Sequence, residues 1–253
     1  MKYFVKPEME RFSSFIEQLP DRFDEGELIF AGRNTIRSFM VCGEHITVKR
    51  FRKPSGINAW LYGTLRKSKA RRAFEHASEL QRLGLPTPEP IGWREDYRAG
   101  RIRETYLVTR YSDYRPISEI TNAFPAAHTV EVLDAFAAFI VRLHKAGVLH
   151  GDFNNGNTQW KADGKGGYLF EVIDINRMQF RGRELTRTES LHNLRRITCP
   201  MTAYAYLLGR YGELRGWDNY YTQLAGAERL GGFIAARDRR CRLKALLRGR
   251  KRS

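Results

Sequence analysis

The chain has 253 residues, 42% of them hydrophobic and 12% aromatic, which is enough to bury a substantial core and excludes disorder of the whole. A formal net charge of +16 and a pI near 10.0 predict an anionic partner: nucleic acid, an anionic membrane face or a phosphorylated small molecule. No apolar run approaches the roughly 20 residues needed to span a bilayer, and Met1 to Glu8 is too polar for a secretory signal, so a cytosolic protein is expected. Cys42, Cys199 and Cys241 lie far apart, which argues against a disulfide framework or a zinc site.

From Phe12 to Leu19 apolar residues recur at helical spacing and stop at Pro20, predicting a short leading helix. Three short strands follow at 27–30, 38–41 and 45–51, joined by turns at Gly32-Arg33-Asn34 and Gly43-Glu44 into an antiparallel meander. In a nucleotide-dependent transferase the first turn would lie over the phosphates, Gly32 allowing close approach; a plain hairpin explains Gly32 equally well. Lys49 ends the β-branched run Ile46-Thr47-Val48, comparable to the strand lysine that contacts nucleotide phosphates.

Residues 67–83 carry Ala70, Phe74, Ala77, Leu80 and Leu83 at spacings of three or four, an amphipathic helix ended by Gly84 and Pro86. Glu75 and Glu79 lie one turn apart on it. One of them, Glu75 by preference, is expected to pair with Lys49 and hold it toward the phosphates; a solvated helix face is the plain alternative. Prolines 86, 88 and 90 keep the next stretch extended, and strands are predicted at 90–94 and 103–110. The pattern then changes from strands to helices, which puts a lobe boundary near Ser112. An adenine ring is expected at that junction, around Thr109 and Tyr111.

Residues 130–144 predict a buried helix, ended by Lys145-Ala146-Gly147. Directly after it, His150-Gly151-Asp152-Phe153-Asn154-Asn155-Gly156-Asn157 places an aspartate five residues before an asparagine. This is the spacing of a phosphotransferase catalytic loop, in which the Asp accepts the proton of an attacking hydroxyl and the Asn holds a nucleotide-bound magnesium ion. Strands at 158–160 and 168–173 predict a hairpin with Asn157 at one end and Asp174 just past the other, bringing the two metal ligands together. Beyond Thr188, a cap candidate, helices are expected at 191–197, 202–208 and 233–247. The last of these mixes Phe233, Leu243, Leu246 and Leu247 with many arginines, which suits an anionic membrane surface; a solvated helix and a loose tail are the plain alternative.

The series Lys49, Asp152, Asn157 and Asp174 resembles the lipopolysaccharide kinase family, the Kdo and heptose kinases including the InaA-like members. Ile46 to Lys49, Gly84 to Pro90, Leu143 to Asp152, Asn157 and Ile173-Asp174 carry the resemblance, over roughly residues 28 to 200. RIO-type and aminoglycoside-type kinases use similar loops. The resemblance implies an α+β, two-lobed, protein-kinase-like fold: a small N-terminal antiparallel sheet with a helix in 1–111 and a mainly helical lobe in 112–230; the composition of 231–253 adds a basic amphipathic tail. It implies ATP- and Mg2+-dependent phosphorylation of a sugar hydroxyl, Kdo or heptose, in the lipopolysaccharide inner core. The partners would be that core or a lipid A precursor and the anionic inner-membrane surface, on which a cytoplasmic protein would sit peripherally; nucleic acid is not expected.

By position, Asp152 would be the base, Asn157 and Asp174 the magnesium ligands, Lys49 the phosphate contact and Glu75 its partner. Gly32 and Asn34 would cover the nucleotide, and Thr109 and Tyr111 would flank its base. Two departures stand out. There is no multi-glycine loop, and Asp174 is followed by Ile175-Asn176 rather than Phe-Gly, so no mobile activation segment is expected. The other readings are a RIO-like protein serine kinase and a non-catalytic basic pseudokinase binding membrane or nucleic acid.

Overall fold

The structure, a computed structural model, describes residues 1–52 and 67–249, apart from the side chains of 233, 234, 236–238 and 240–249. Its N-terminal half is one antiparallel sheet of six strands: β1 (Lys2–Val5), β2 (Glu27–Ala31), β3 (Thr35–Val41), β4 (Glu44–Phe51), β5 (Pro90–Arg98) and β6 (Arg101–Arg110), in the order β1-β5-β6-β4-β3-β2. Side chains alternate across a strand, and β4 uses both faces. Ile46 and Val48 are fully buried on the outer side, whereas Thr47, Lys49 and Phe51 face a cleft on the other.

The outer face is covered by the first 25 residues, and here the expected single helix is corrected. A 3-10 turn (Pro7–Phe12) leads into α1 (Ser13–Glu17) and α2 (Leu19–Arg22). Pro20 lies in the first turn of α2, where a missing N–H costs nothing, so it continues the cover instead of ending it. Phe12, Phe15, Ile16, Leu19 and Phe23 pack on Phe39, Ile46, Val48, Tyr106 and Val108 as a separate apolar core. β1, which was not among the expected strands, pairs with β5 from Lys2↔Glu95 to Val5↔Gly92. Gly92 permits that approach, since a Cβ there would stand 2.5 Å from the Phe4 carbonyl oxygen.

On the cleft side lies α3 (Lys69–Arg82), started by Ser68, whose hydroxyl accepts from the Arg71 N–H at 3.0 Å. Its buried residues Ala70, Ala73, Phe74, Ala77 and Leu80 join the core of the C-terminal half. That half contains α4 (Ser118–Ala123), α5 (Ala127–Lys145), α6 (Arg187–Leu194), α7 (Met201–Leu214) and α8 (Asn219–Gly249). Short strands complete it: β9 (Thr158–Ala162) pairs with β10 (Tyr168–Val172) and β7 (Arg115–Pro116), and β8 (Val148–Leu149) pairs with β11 (Gln179–Phe180). The expected helix at 233–247 is the end of α8; the side chains of its basic and apolar residues lie outside the described ones, Ala235 and Arg239 excepted.

α6 is capped by Thr186, not Thr188. The Thr186 hydroxyl accepts from the Glu189 N–H, and the Glu189 carboxylate accepts from the Thr186 N–H at 2.9 Å, a reciprocal capping box. No helix among the described residues is long and apolar enough to cross a membrane.

Between β6 and β7 the chain passes from sheet to helices, and one side-chain contact ties this linker down. The Ser112 hydroxyl donates to the carboxylate of Glu171 on β10. Glu171 is only 5% exposed. Burial pushes its carboxyl up from 4.5 to about 7, with the Ser112 bond and Lys161 pulling the other way.

Two stability measurements follow. Leu19 is fully buried beneath the sheet, so Leu19→Ala should cost about 3 kcal/mol in denaturant unfolding, and a loss under about 1 kcal/mol would show the N-terminal cover to be dispensable. Glu171 holds a proton more tightly folded than unfolded, so its contribution to stability falls as pH rises from 4.5 through 7. Glu171→Gln keeps an acceptor for Ser112. It should stabilise the protein by about 3 kcal/mol at pH 8.5 and by little at pH 4; a pH-independent difference would contradict the assignment.

Candidate active site

A cavity of about 280 Å³ lies between the sheet and the helical half, and its lining includes Ile29, Ile36, Lys49, Thr109, Tyr111 and Asp174. Lys49 is set by register. β4 is hydrogen-bonded on both sides, with Lys49 opposite Ile36 of β3 and Leu107 of β6, which fixes its backbone and aims its side chain into the cavity. Its ammonium stands 2.9 Å from the Asp174 carboxylate and 5.2 Å from the centre of the Phe51 ring.

Asp174 follows β10 with φ +53° and ψ 43°, a left-handed conformation uncommon for a residue with a Cβ and typical of functional positions. The Asn176 amide donates to the same carboxylate oxygen at 2.9 Å. Burial alone would raise the Asp174 pKa, but the charge and hydrogen bond of Lys49 outweigh it and hold the carboxyl below its ordinary value. Asp174 is therefore ionised at neutral pH.

The expected Lys49–Glu75 pair is absent. Glu75 bonds Lys67 at 2.8 Å and Arg71 at 3.0 Å, and Glu79 bonds Arg82 at 2.6 Å. Helical phase is the reason: Ala73 and Ala77 line the cavity, and a residue two positions from either is turned roughly 200° around the helix, away from Lys49.

The loop from His150 to Asn157 is anchored at both ends. The Asp152 N–H donates to His150 Nδ1 at 3.1 Å, so His150 Nε2 carries the ring proton and donates to the Ile173 carbonyl at 3.0 Å. Burial pushes the His150 pKa down, which favours this neutral form. Asn193 of α6 donates to the His150 carbonyl at 2.7 Å and accepts from His144 Nε2 at 3.2 Å. His144 in turn accepts from the Tyr211 hydroxyl at 2.8 Å, and burial drives its pKa to about 4. Gly151 is required by close approach: a Cβ there would stand 2.3 Å from the Arg177 carbonyl oxygen. Asn193 left no motif in the sequence, because its role depends on a contact between α6 and a loop 43 residues earlier.

Asn157 donates through Nδ2 to the Asp152 backbone carbonyl at 2.8 Å, which leaves Oδ1 as the free acceptor. Its own carbonyl accepts from the Ile173 N–H at 3.0 Å, setting it beside the residue that precedes Asp174. An amide oxygen and a carboxylate suit Mg2+, a hard ion that takes few protein ligands and fills its shell with phosphate oxygens and water. No cluster of three or more His, Cys, Asp or Glu able to hold a metal occurs among the described residues.

Thr109 and Tyr111 line the cavity; the Tyr111 ring stacks on His45 with centroids 3.9 Å apart. Gly32 and Asn34 do not. The Gly32 N–H closes the turn onto the Asn34 carbonyl at 3.1 Å, and Asn34 Oδ1 accepts from the Arg52 N–H at 3.1 Å.

Comparison with known proteins bears on the fold and the family. A solved structure described as WaaP in complex with acyl carrier protein superposes with a TM-score of 0.61 at 14% identity, covering 91% of this chain and 99% of that one. The MAP kinase LmaMPK10 from Leishmania major is a weaker match, with a TM-score of 0.43 at 16% identity over 85% of this chain and 65% of its own. The likeness to WaaP is one of protein-kinase-like fold. No curated protein sequence matches the chain. The family model of the lipopolysaccharide kinases (Kdo/WaaP) matches residues 31–207, from the last residue of β2 to the middle of α7, and the chain belongs to that family.

Proposed function

We propose that this phosphotransferase moves the γ-phosphoryl group of ATP to a sugar hydroxyl, Kdo or heptose, of the lipopolysaccharide inner core. The observation that carries this reading is the Lys49–Asp174 pair on a cavity whose lining runs along the linker, with the loop of Asp152 and Asn157 hydrogen-bonded to Ile173, the residue before Asp174. Asp152 would accept the proton of the sugar hydroxyl as its oxygen bonds phosphorus and the bond from phosphorus to the departing ADP oxygen breaks. Lys49 would contact the phosphates. Asn157 Oδ1 and the Asp174 carboxylate would hold Mg2+, whose charge offsets that of the phosphate oxygens. Thr109 and Tyr111 would flank the base, and Gly32 and Asn34 would act only through the position of the turn they close.

Family membership favours a glycan acceptor over the protein acceptor of a RIO-like kinase. The tail adds the proposed membrane contact: among residues 237–252 the sequence has Arg237, Arg239, Arg240, Arg242, Lys244, Arg248, Arg250, Lys251 and Arg252, opposed by Asp238 alone. Basic residues at an anionic bilayer contribute about 1 kcal/mol each.

Asp152→Asn should lower transfer from labelled ATP to a Kdo-bearing lipid A acceptor about a thousandfold while leaving the melting temperature unchanged, and near-normal turnover would remove Asp152 from the chemistry. Ending the chain after Gly232 should weaken binding to anionic vesicles at low salt and erase its salt dependence. Equal binding by the shortened and full chains would reject the membrane contact.

A further inference from the structure

Both glutamates of α3 turn away from Lys49, yet the helix reaches the site by another route. His76, one residue before the cavity-lining Ala77, faces the turn Ile175–Arg177 that directly follows Asp174. Its partner there is a carbonyl, so Nδ1 carries the ring proton and donates to the Ile175 oxygen at 2.8 Å. The same oxygen accepts from the Met178 N–H at 3.0 Å, which uses both of its lone pairs. The His76 ring also stands edge-on to Phe180, with ring centres 5.5 Å apart. Phe180 belongs to β11 and pairs with Val148 of β8, the strand that runs into the His150–Asn157 loop.

The turn is the backbone that aims Asp174. Asp174 caps it at φ +53° and ψ 43°, a left-handed conformation that a residue with a Cβ keeps only where surrounding contacts hold it. Each residue of the turn is tied. Ile175 is bonded by His76, the buried Asn176 donates to the Asp174 carboxylate at 2.9 Å, and the Arg177 carbonyl closes on Gly151, the residue before Asp152. Of these three ties only the His76 bond comes from α3.

We propose that His76 is a positioning residue for the metal end of the reaction: its bond to the Ile175 carbonyl fixes the turn and, through the turn, the direction in which Asp174 presents its carboxylate. α3 is thereby coupled to the site through the carboxylate instead of through the lysine. That role rests on the reading of Asp174 as a magnesium ligand. Groups one layer out from a metal ligand set its orientation, and their loss costs about 10- to 100-fold in metal affinity or activity. His76 does not line the cavity, so its loss should act on the metal and not on the nucleotide itself.

The test titrates ATP into the full chain over a series of Mg2+ concentrations, for wild type, His76→Leu, His76→Gln and His76→Asn, with Asp174→Asn alongside. Leucine has no donor and glutamine carries its amide beyond the Nδ1 position, whereas asparagine keeps an N–H there. The Mg2+ concentration giving half of the gain in ATP affinity should rise about tenfold in His76→Leu and His76→Gln and return to within about threefold of wild type in His76→Asn. ATP affinity without Mg2+ should change less than about twofold in all three. The glutamine variant carries the measurement if the leucine one does not fold. A general loosening of the fold would weaken ATP binding equally with and without Mg2+. That result, an unchanged Mg2+ midpoint, or failure of asparagine to restore it would overturn the positioning role. If Asp174→Asn keeps the wild-type Mg2+ response, the metal assignment falls and the role of His76 with it; if Asp174→Asn loses the response while the His76 variants keep it, the positioning role alone is wrong.

Discussion

The ion pair between Lys49 and Asp174 is the contact on which the rest of the site depends. It joins the middle of the sheet to the turn after β10, two elements 125 residues apart, across a cleft. A half-buried pair of this kind contributes little net stability, because each charge gives up water to form it. Its value is positional. β4 is clamped between β3 and β6, so the lysine cannot drift, and the left-handed backbone at Asp174 turns the carboxylate toward it. Each partner of the pair is the group that a phosphate or a magnesium ion would seek, and the pair holds both in place.

The surroundings of that pair are built for rigidity. α3 presents Ala73 and Ala77 to the cavity, so Lys49 has no helix glutamate to gain or lose, and the helix is fastened by His76 to the turn behind Asp174. The His150–Asn157 loop hangs from a chain of buried polar groups, Tyr211 to His144 to Asn193 to His150, each satisfied by the next. The N-terminal cover packs a second apolar core on the back of the sheet that carries Lys49.

What could be read from the sequence followed the range of the interactions. Asp152 and Asn157 were legible because their geometry is local, five residues within one loop, and Asp174 because a short hairpin joins it to them. Lys49 was legible from its strand pattern. Glu75 was misjudged because periodicity identifies the buried face of α3 without saying which part of that face meets the lysine. The strand at Lys2–Val5 was missed because only Val5 is buried, so it has no alternation, and its partner lies about 90 residues on. Pro20 was read as a stop when only the structure distinguishes the end of one helix from the first turn of the next.

The most direct test is the magnesium dependence of nucleotide affinity, measured by titrating ATP into wild-type protein and Asp174→Asn with and without Mg2+. If Asp174 leaves Lys49 to take the metal, Mg2+ should tighten ATP binding to the wild type at least tenfold and have less than a twofold effect on the variant. An equal magnesium effect on both proteins would contradict the assignment of the Lys49–Asp174 pair to the reacting phosphates.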